Sequence, residues 1–411
     1  MQADSVSFWQ STTAALPLST ELPSTVDVAV VGGGLLGAVT CYWLAHEGVR
    51  VALLERTALA AGATGRNGGM VRAGIVGLYA DGITRLGYET AHAAMTFTYE
   101  SQALLQQVIQ EEAIPCEARQ TSMIRLALTE EQLRRLTHEV ALLETNGFSA
   151  RWLDRRDLEA YIHTPLSTEI LGGRYLPDQI VLHPAQLVQG LVQAALRRGA
   201  RAYQAEVLKL TQQKQEILLE TSRGPLRAGA VVVALNAWTS QLLPAFAGLI
   251  VPVREQMLAY APTAPVFTTG VTAETISGEY WQQRPDGTIV IGGCGAVAPN
   301  EDIGVWESQP TPIVQEAIEQ ILPRLFPKLK GLQVVQRWAG LLGWTSDTLP
   351  IVDRAPQMPN VFIVGGFSGQ GMPYGMLCGE LLAAAVINGT LSSVLKPFRL
   401  DRPTLRRQEA G

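Results

Sequence analysis

Three glycines near the amino terminus are spaced for binding the phosphates of a dinucleotide. Gly32, Gly34 and Gly37 form a Gly-x-Gly-x-x-Gly motif directly after the apolar segment DVAVV and shortly before the helix-like segment CYWLA. The first glycine permits a tight turn, the second lets the backbone approach a pyrophosphate, and the third lets helix and strand pack closely. The start of the helix then faces the phosphates with its partial positive charge. The motif therefore predicts a strand, a turn and a helix that hold a dinucleotide.

A carboxylate stands after the second predicted strand, where it can bind the ribose of a dinucleotide. Residues 49–54 predict a second strand, which leads into Glu55, eighteen residues after Gly37. A carboxylate at that point accepts hydrogen bonds from both ribose hydroxyls, which favours FAD or NAD over NADP. Leu35 and Arg56, which adjoin the motif and Glu55, are included in the predicted site. The alternative is a strand, turn and helix with a structural role alone.

Two further glycine-rich segments indicate which dinucleotide is bound. Residues 60–74 (AAGATGRNGGMVRAG) leave almost no room for a regular element, which predicts a second close approach of backbone to a ligand. Residues 365–372 (GGFSGQGM) lie between a predicted strand and a helix expected to begin at about Tyr374. The start of that helix would stabilise the negative charge that an isoalloxazine ring acquires on two-electron reduction. A nicotinamide enzyme has no need of this site, so the sequence favours FAD.

Composition and charge argue against several other functions. The 411 residues carry a formal net charge of -5, which gives no basic field for nucleic acid or acidic lipid. Residues 28–46 are apolar, but glycines interrupt them and acids flank them, so we interpret them as core and expect no integral membrane segment. Four scattered cysteines and five unclustered histidines predict reduced thiols and no metal site. The first ten residues contain an acid and no base, so we expect no secretory signal and predict a cytoplasmic protein.

These segments resemble the FAD-dependent amine and amino-acid oxidoreductases of the D-amino-acid oxidase superfamily, which includes glycine oxidase, sarcosine oxidase and gamma-glutamylputrescine oxidase. The resemblance covers residues 8–400. Its carriers, besides VVGGGLLG and Glu55, are GATGRNGGM, LHPAQLVQGL, AGAVVVALNAWTSQLL, PVREQML, RPDGTIVIGG, WAGLLGWTSDTLPIV and GGFSGQGM. GRNGGM and the amino-terminal SFWQSTT are most similar to the gamma-glutamylputrescine oxidase branch.

The resemblance implies FAD-binding roles along the chain. The glycine motif would hold the pyrophosphate and Glu55 the ribose, while residues 66–70 would line the central part of FAD and one flavin edge. Val207 would meet the adenine through its backbone, and residues 369–372 would hold the pyrimidine edge of the flavin. The full predicted set is Gly32, Gly34, Leu35, Gly37, Glu55, Arg56, Arg66, Asn67, Gly68, Gly69, Met70, Val207, Gly340, Gly366, Gly369, Gln370, Gly371 and Met372.

Departures from the family pattern bear on the flavin linkage and on oxygen. Gly340 and Arg66 stand where members with a covalent flavin have cysteine or histidine, so the resemblance implies dissociable FAD. Val290 and Cys294 stand where sarcosine oxidase-like members have an oxygen-reactive lysine and a histidine. Fast reaction with oxygen is therefore in question.

The candidate substrate-binding residues are one arginine and four aromatic residues. Pro373 replaces a lysine that grips the substrate carboxylate in the family, which leaves Arg72 as a candidate ligand, with an ordinary surface or ion-paired arginine as the alternative. Oxidation needs the amine nitrogen in its neutral form, and an apolar, aromatic pocket favours loss of the proton by desolvation. The aromatic candidates, each with a place in the core as the alternative, are Tyr280, Trp281, Trp344 and Tyr374. No histidine or carboxylate stands out as a general base.

The glycine motifs at the two ends of the chain must converge on one cofactor, which predicts a discontinuous domain. We predict an α/β fold of the α+β two-domain type, with a Rossmann-like FAD-binding domain and a second, antiparallel-sheet substrate domain. The predicted boundaries are 25–90, 150–240 and 331–395 for the FAD-binding domain, 91–149 and 241–330 for the substrate domain, and 1–24 for an amino-terminal tail. The segment TEEQLRRLTHEVALLETNG predicts an amphipathic helix that ends at Gly147.

The leading hypothesis is an FAD-dependent oxidase of a small amine or amino acid. It would transfer hydride from the C–H next to nitrogen to flavin N5, giving an imine and, with oxygen, hydrogen peroxide. Val290 motivates a first alternative, a dehydrogenase that uses a quinone or protein acceptor. A second alternative binds FAD without turnover, and an NAD-only dehydrogenase leaves GRNGGM and GFSGQGM unexplained. The sequence does not predict the amine, its stereochemistry or the oligomeric state.

Overall fold

The computed structural model describes residues 5–408, which form two β-sheets with helices packed against them. The first sheet contains, with strands numbered along the chain, β1 (Thr25–Val31), β2 (Val51–Glu55), β7 (Arg201–Gln204), β8 (Val207–Gln213), β9 (Glu216–Thr221), β10 (Gly224–Val233), β16 (Ile351–Ala355) and β17 (Met358–Gly365). The second sheet contains β3 (Met70–Val71), β4 (Arg119–Ala127), β5 (Arg151–Asp154), β6 (Gly172–Val181), β11 (Val251–Tyr260), β12 (Gly270–Ala273), β13 (Glu279–Gln283), β14 (Ile289–Gly292) and β15 (Val334–Trp344). The helices are α1 (Phe8–Ser11), α2 (Leu35–His46), α3 (Tyr79–Leu86), α4 (Tyr88–Glu111), α5 (Glu130–Thr145), α6 (Pro184–Arg197), α7 (Thr239–Leu242), α8 (Pro312–Leu325) and α9 (Gly371–Asn388).

Five neighbouring parallel strands form the centre of the first sheet, in the order β17, β10, β1, β2 and β7. Residues 28–31 of β1 are all buried, which explains the unbroken apolar run, because parallel strands are covered on both faces. The carboxyl ends of β1, β2 and β10 meet at one edge of the sheet. Open parallel sheets bind their ligands at this edge, so the fold places the glycine motif where a dinucleotide is held.

The second sheet is antiparallel except where β12 runs parallel to β4. Its order is β15, β11, β14, β13, β12, β4, β6 and β3, with β5 beside β6. One face packs against α8, whose apolar residues join a core that includes Trp281 and Phe326. The opposite face turns toward the first sheet. The mixed α/β architecture with two sheets confirms the predicted fold class.

Four strands lie in segments that the sequence assigns to the FAD-binding domain but hydrogen-bond into the second sheet, namely β3, β5, β6 and β15. The two long ones, β6 and β15, pair with β4 and β11 along most of their lengths. The partners of both long strands are distant in the sequence, so the position of either strand along the chain gives no sign of the sheet that it joins. The exact division into domains stays a prediction.

Two helices test predicted boundaries. The helix α5 occupies Glu130–Thr145 and ends where predicted, just before Gly147. The helix α9 begins at Gly371, three residues before the predicted start at Tyr374. Pro373 fits within its first turn, because a backbone N–H at that position has no partner inside the helix. Among the helices in the described range, none is long and apolar enough to span a lipid bilayer.

Candidate active site

A cavity of about 770 Å³ is lined by residues from both sheets. Ligand sites typically measure roughly 300–1,000 Å³, so the cavity has room for a large cofactor. One end, the cofactor end, lies at the carboxyl ends of β1, β2 and β10. The other, the substrate end, lies on the face of the second sheet formed by β4, β6, β11 and β13.

The glycine motif adopts the geometry that its spacing predicts. Gly32 has a φ of +110°, and a Cβ atom there would lie 2.6 Å from the Ala234 carbonyl oxygen. A Cβ atom at Gly37 would lie 1.8 Å from the Gly32 carbonyl oxygen, so helix and turn touch at this point. Gly34 caps α2 and faces the cavity, and a Cβ atom there would have one neighbour within 4 Å, the Thr64 hydroxyl at 3.3 Å. The protein leaves the space beside Gly34 to a ligand.

Glu55 is oriented by the same turn. Its Oε2 accepts a hydrogen bond of 2.8 Å from the Gly33 backbone N–H, and its Oε1 accepts one of 2.9 Å from the Thr57 backbone N–H. The neighbouring Arg56 guanidinium lies 5.3 Å from the centre of the Trp238 ring. All of these side chains border the cofactor end of the cavity.

Sequence reasoning missed two residues that follow β10. Trp238 lines the cavity, and the Asn236 Oδ1 accepts a hydrogen bond of 2.9 Å from the Gly366 N–H. Asn236 therefore joins the end of β10 to the third glycine segment. The signal was present in NAW, which stands just beyond the end of an apolar strand, where parallel sheets bind ligands.

The second glycine-rich segment forms a loop that connects the two sheets. The Thr64 hydroxyl accepts a hydrogen bond of 3.1 Å from the Leu35 N–H at the start of α2. Arg66 donates from Nη1 to the Ala339 carbonyl oxygen at 2.7 Å. A Cβ atom at Gly340 would lie 2.9 Å from the Arg66 Cβ. The two positions at which the family resemblance placed a flavin linkage thus contact each other.

Residues 5–13, which we call the N-terminal strap, cover this loop from outside. The Trp9 indole N–H donates to the Asn67 carbonyl oxygen at 2.6 Å, and the Ser7 hydroxyl donates to the Gly65 carbonyl oxygen. The hydroxyls of Thr12 and Thr13 lie 3.1 and 3.3 Å from His183 Nε2. Burial lowers the pKa of His183 to about 4, so the ring is neutral in this contact. The segment that the sequence suggests as a tail is packed against the cofactor loop.

Most of the predicted cofactor residues border one continuous surface, and three lie behind it. The three that do not line the cavity are Gly37, Gly69 and Gly366, and each supports the backbone that does. Gly37 contacts the turn at Gly32, and Gly366 donates to Asn236, as described above. The Gly69 N–H donates to the Asn67 Oδ1 at 2.7 Å. The predicted residues that line the cavity are Gly32, Gly34, Leu35, Glu55, Arg56, Arg66, Asn67, Gly68, Met70, Val207, Gly340, Gly369, Gln370, Gly371 and Met372. Two helix starts, a carboxylate at the second strand and an open space beside Gly34 fit the phosphates and ribose of FAD.

Two of the four aromatic candidates are core residues. Tyr280 and Trp281 are adjacent in β13 and therefore point to opposite faces of the sheet. Tyr280 lines the cavity, whereas Trp281 is fully buried against Phe267 and Phe326. The prediction that Trp281 contacts substrate is wrong for this reason.

Tyr374 lies on the face of α9 that packs inward. Its ring contacts Phe97 and Phe398, and it is 1% exposed, so the prediction that it contacts substrate is also wrong. Trp344 does line the cavity, and its indole N–H is buried without a hydrogen-bond partner in the described part of the chain. The aromatic residues that face the cavity from the predicted set are therefore Tyr280 and Trp344.

An arginine cluster, Arg72, Arg125 and Arg174, occupies the substrate end. Arg174 donates from Nη1 to Glu139 at 3.2 Å, and Arg125 donates from Nη2 to Glu274 at 2.9 Å. Arg72 also lines the cavity, and no hydrogen bond or ion pair engages it within residues 5–408. Burial, followed by the charges of Arg174 and Arg125, lowers its pKa to about 9, so it stays a cation at neutral pH. This end attracts an anion.

Glu255 on β11 is a second residue that the sequence did not single out. It lines the cavity near Tyr280, and its backbone pairs with Gly340 of β15. Burial, together with the nearby acids Asp302 and Glu301, raises its pKa to about 7. PVREQML carried the family resemblance, but a single glutamate in a strand gives no sign of what it faces.

Comparison with known proteins agrees with this geometry. The family profile described as "FAD dependent oxidoreductase" (DAO) matches residues 27–385. Glycine oxidase of Geobacillus kaustophilus is 25% identical over 92% of this chain and 97% of its own, and its crystal structure has a TM-score of 0.80 with 92% of this chain and 99% of that chain covered. Gamma-glutamylputrescine oxidoreductase of Escherichia coli is 25% identical over 87% of this chain and 83% of its own.

A structure of L-proline dehydrogenase from P. horikoshii shares the fold, with a TM-score of 0.80, 23% identity, and coverage of 94% of this chain and 100% of that one. The family match extends from the strand before the glycine motif to α9, so it includes all three glycine segments. The chain therefore belongs to the DAO family of FAD-dependent oxidoreductases and acts on amines or amino acids.

Proposed function

We propose that this enzyme oxidises a small amine that carries a carboxylate, an amino acid or an N-substituted amino acid, with oxygen as the electron acceptor. The observation that carries the proposal is Arg72, a half-buried cation that faces the cavity and has no hydrogen bond or ion pair in the described part of the chain. A partly desolvated cation without an ion pair is costly, and a substrate carboxylate supplies the partner that the fold omits.

The proposed reaction removes two electrons and two protons from the substrate. FAD, when bound, accepts hydride from the carbon next to nitrogen. The other proton leaves the nitrogen, and the product is an imine that water hydrolyses to a carbonyl compound and an amine or ammonia. Oxygen receives the two electrons and two protons and becomes hydrogen peroxide.

In this proposal the chain binds and orients, and the cofactor supplies the redox chemistry. The glycine motif and the start of α2 would hold the pyrophosphate, and Glu55 the ribose. Residues 66–70 and 369–372 would surround the flavin, and Arg72 would fix the substrate carboxylate while Tyr280 and Trp344 exclude water. Holding the reacting carbon in one position accounts for much of the rate in such reactions.

Two further observations support the proposed mode of FAD attachment and the proposed location of the protein. FAD is held without a covalent bond in this proposal, since Gly340 offers no nucleophile and Arg66 is engaged with backbone carbonyl oxygens. All four cysteines are buried and unpaired, which suits a reducing compartment such as the cytoplasm.

Val290 supports a second candidate, a dehydrogenase with a quinone or protein acceptor. Its side chain is fully buried, and no lysine lies among the cavity-lining residues of the described chain. Oxygen reduction would then lack the cation that the family resemblance associates with it. L-proline dehydrogenase, which shares the fold, is named for the same class of reaction.

One experiment tests both candidates. The visible spectrum of the purified holoenzyme is followed without oxygen while amines and both enantiomers of amino acids are added. We expect amino acids or N-substituted amino acids to bleach the flavin band and matched amines without a carboxylate to fail. Admission of air then distinguishes the two candidates. Rapid return of the flavin band with formation of peroxide indicates the oxidase, and a persistently reduced flavin indicates the dehydrogenase. A band that no compound bleaches contradicts the proposal.

A further inference from the structure

Four carboxylates line the cavity, and three of them have partners. Glu55 accepts backbone N–H bonds, Glu206 lies 3.8 Å from Arg56, and Glu274 pairs with Arg125. Glu255 alone has no hydrogen bond or ion pair within the described residues. A carboxylate that the fold encloses but leaves without a donor is available to a donor from the substrate.

The register of the second sheet fixes which face Glu255 shares. Residues paired across neighbouring strands point to the same face, as do residues two apart in one strand. Met257, two residues after Glu255, is the first of a row of directly paired residues that continues across the next five strands. The row continues through Gly292, Tyr280, Thr272, Arg125 and Arg174.

The sheet face that carries this row has opposite charges at its two ends. Glu255 stands on β11, Tyr280 two strands away on β13, and Arg125 two strands further on β4. Strands lie about 4.8 Å apart, so the backbones that carry the acid and the first arginine are separated by about 19 Å along the sheet. Both side chains line the same cavity. An acid at one end and arginines at the other orient a zwitterion in one direction.

We propose that Glu255 binds the ammonium group of the substrate and accepts its proton, so that the enzyme takes its substrate as a zwitterion and generates the neutral amine inside the cavity. The inference rests on the proposed function and deepens it. One N–H bond of the ammonium breaks, its proton forms the carboxylic acid of Glu255, and the electron pair stays on nitrogen. That lone pair then assists departure of hydride from the adjacent carbon.

The surroundings of Glu255 support this exchange. Tyr280 and Cys294 face it and stay protonated, because burial raises the pKa of both groups. Asp302 is engaged by Arg254 at 2.8 Å, and Glu279 accepts hydrogen bonds from residues 275–277. The nearby Glu301 is exposed, and burial with Asp302 and Glu301 holds the pKa of Glu255 at about 7, where a base can both take and return a proton.

The first test measures binding without turnover. Glycine betaine carries a fixed cation and a carboxylate but has no N–H bond to lose, and propionate carries the carboxylate alone. Their affinities for the oxidised holoenzyme are followed by the change in flavin absorbance. We expect wild type to prefer glycine betaine over propionate, Glu255→Gln to lose at least about tenfold of that preference, and Arg72→Met to lose binding of both. Equal preferences in wild type and Glu255→Gln overturn the role of Glu255 even if the proposed oxidation is correct.

The second test follows proton transfer. The rate of anaerobic flavin bleaching in wild type rises with pH through an ionisation near 7, and Glu255→Gln loses that ionisation and slows by about 100-fold or more. Glu255→Asp keeps an ionisation at a reduced rate, which separates a chemical role from a packing role. Glu301→Gln removes a like charge and moves the profile to lower pH. An unchanged profile in Glu255→Gln overturns the inference, whereas failure of every compound to bleach wild type overturns the proposed function.

Discussion

The two ends of the cavity recognise their ligands by different means. At the cofactor end, the proposed binding of FAD relies mostly on backbone atoms and helix starts, and side chains matter mainly by their absence at Gly32, Gly34 and Gly37. At the substrate end, long side chains from distant parts of the chain line the cavity, among them Arg72, Arg125 and Glu255. Backbone recognition imposes a local spacing on the sequence, whereas side-chain recognition leaves the spacing free. The first end therefore resists change and the second end allows a new substrate.

The largest effect is expected at the cofactor end, for Gly37→Ala compared with Gly34→Ala. The added Cβ at Gly37 would lie 1.8 Å from a backbone oxygen that cannot move aside, so we expect the apoprotein to lose at least about 3 kcal/mol of unfolding free energy. At Gly34 the Cβ projects beside the Thr64 hydroxyl into the space where we propose that the pyrophosphate binds. That variant should keep its apoprotein stability and bind FAD at least about tenfold more weakly. Denaturant unfolding and FAD titration measure the two quantities, and equal stability losses would contradict the distinction.

A fall in pH should destabilise the cofactor end, through His183, and leave the arginine charges of the substrate end unchanged. Its folded pKa of about 4 lies below its unfolded value of about 6.5, so the unfolded chain binds the extra proton first. Stability present above pH 6.5 is therefore lost as the pH falls toward 4, by about 3 kcal/mol in all. The strap loosens over the cofactor loop in the same range, while the arginines stay charged. We expect His183→Gln to flatten the pH dependence of the melting temperature between 6.5 and 4, and an unchanged slope would contradict this.

Arg72→Met should reverse the usual link between activity and stability at the substrate end. Removal of the guanidinium is expected to raise KM for a carboxylate substrate by about 100-fold, the loss typical of a buried charged hydrogen bond. The apoprotein should become more stable, because the change removes a half-buried cation that has no ion pair and lies near the like charges of Arg174 and Arg125. Steady-state kinetics and apoprotein melting decide the matter, with Arg72→Lys as the charge-preserving control. A fall in stability would mean that Arg72 has a structural anion.

The smallest effect is expected for Tyr374→Phe, which lies outside the cavity lining and packs against Phe97 and Phe398. The hydroxyl is buried without a hydrogen-bond partner in the described chain, so its removal should leave turnover unchanged and raise the unfolding free energy by up to about 1 kcal/mol. A change in substrate preference in this variant would show that Tyr374 contacts the substrate.

The difference between backbone recognition at one end and side-chain recognition at the other explains what the sequence could predict. Gly32, Glu55 and the loop around Asn67 were recognisable because each satisfies a local backbone requirement. Trp281 and Tyr374 were misassigned because membership of a segment does not say which face of a strand or helix a residue occupies.

Glu255 could not be found by inspection of the sequence, since its neighbours Gly340 and Tyr280 are 85 and 25 residues away and only the register brings them together. The arginine cluster is hidden in the same way, because Arg125 and Arg174 meet through the pairing of β4 with β6. The fold class follows from local patterns, and the chemistry of the substrate end follows from long-range pairing.

The strap has a consequence for how the protein is made. It packs on residues near 65, but the cavity on the other side of that loop is also lined by Gly340 and by Gly371 at the start of α9. A ribosome that adds about 5–20 residues per second exposes the glycine motif many seconds before the last wall of the site emerges. The strap cannot be completed early either, because it also contacts His183 and Ala339. We therefore expect the flavin site to be complete only after α9 has emerged, and a chain truncated before α9 to lose retention of FAD.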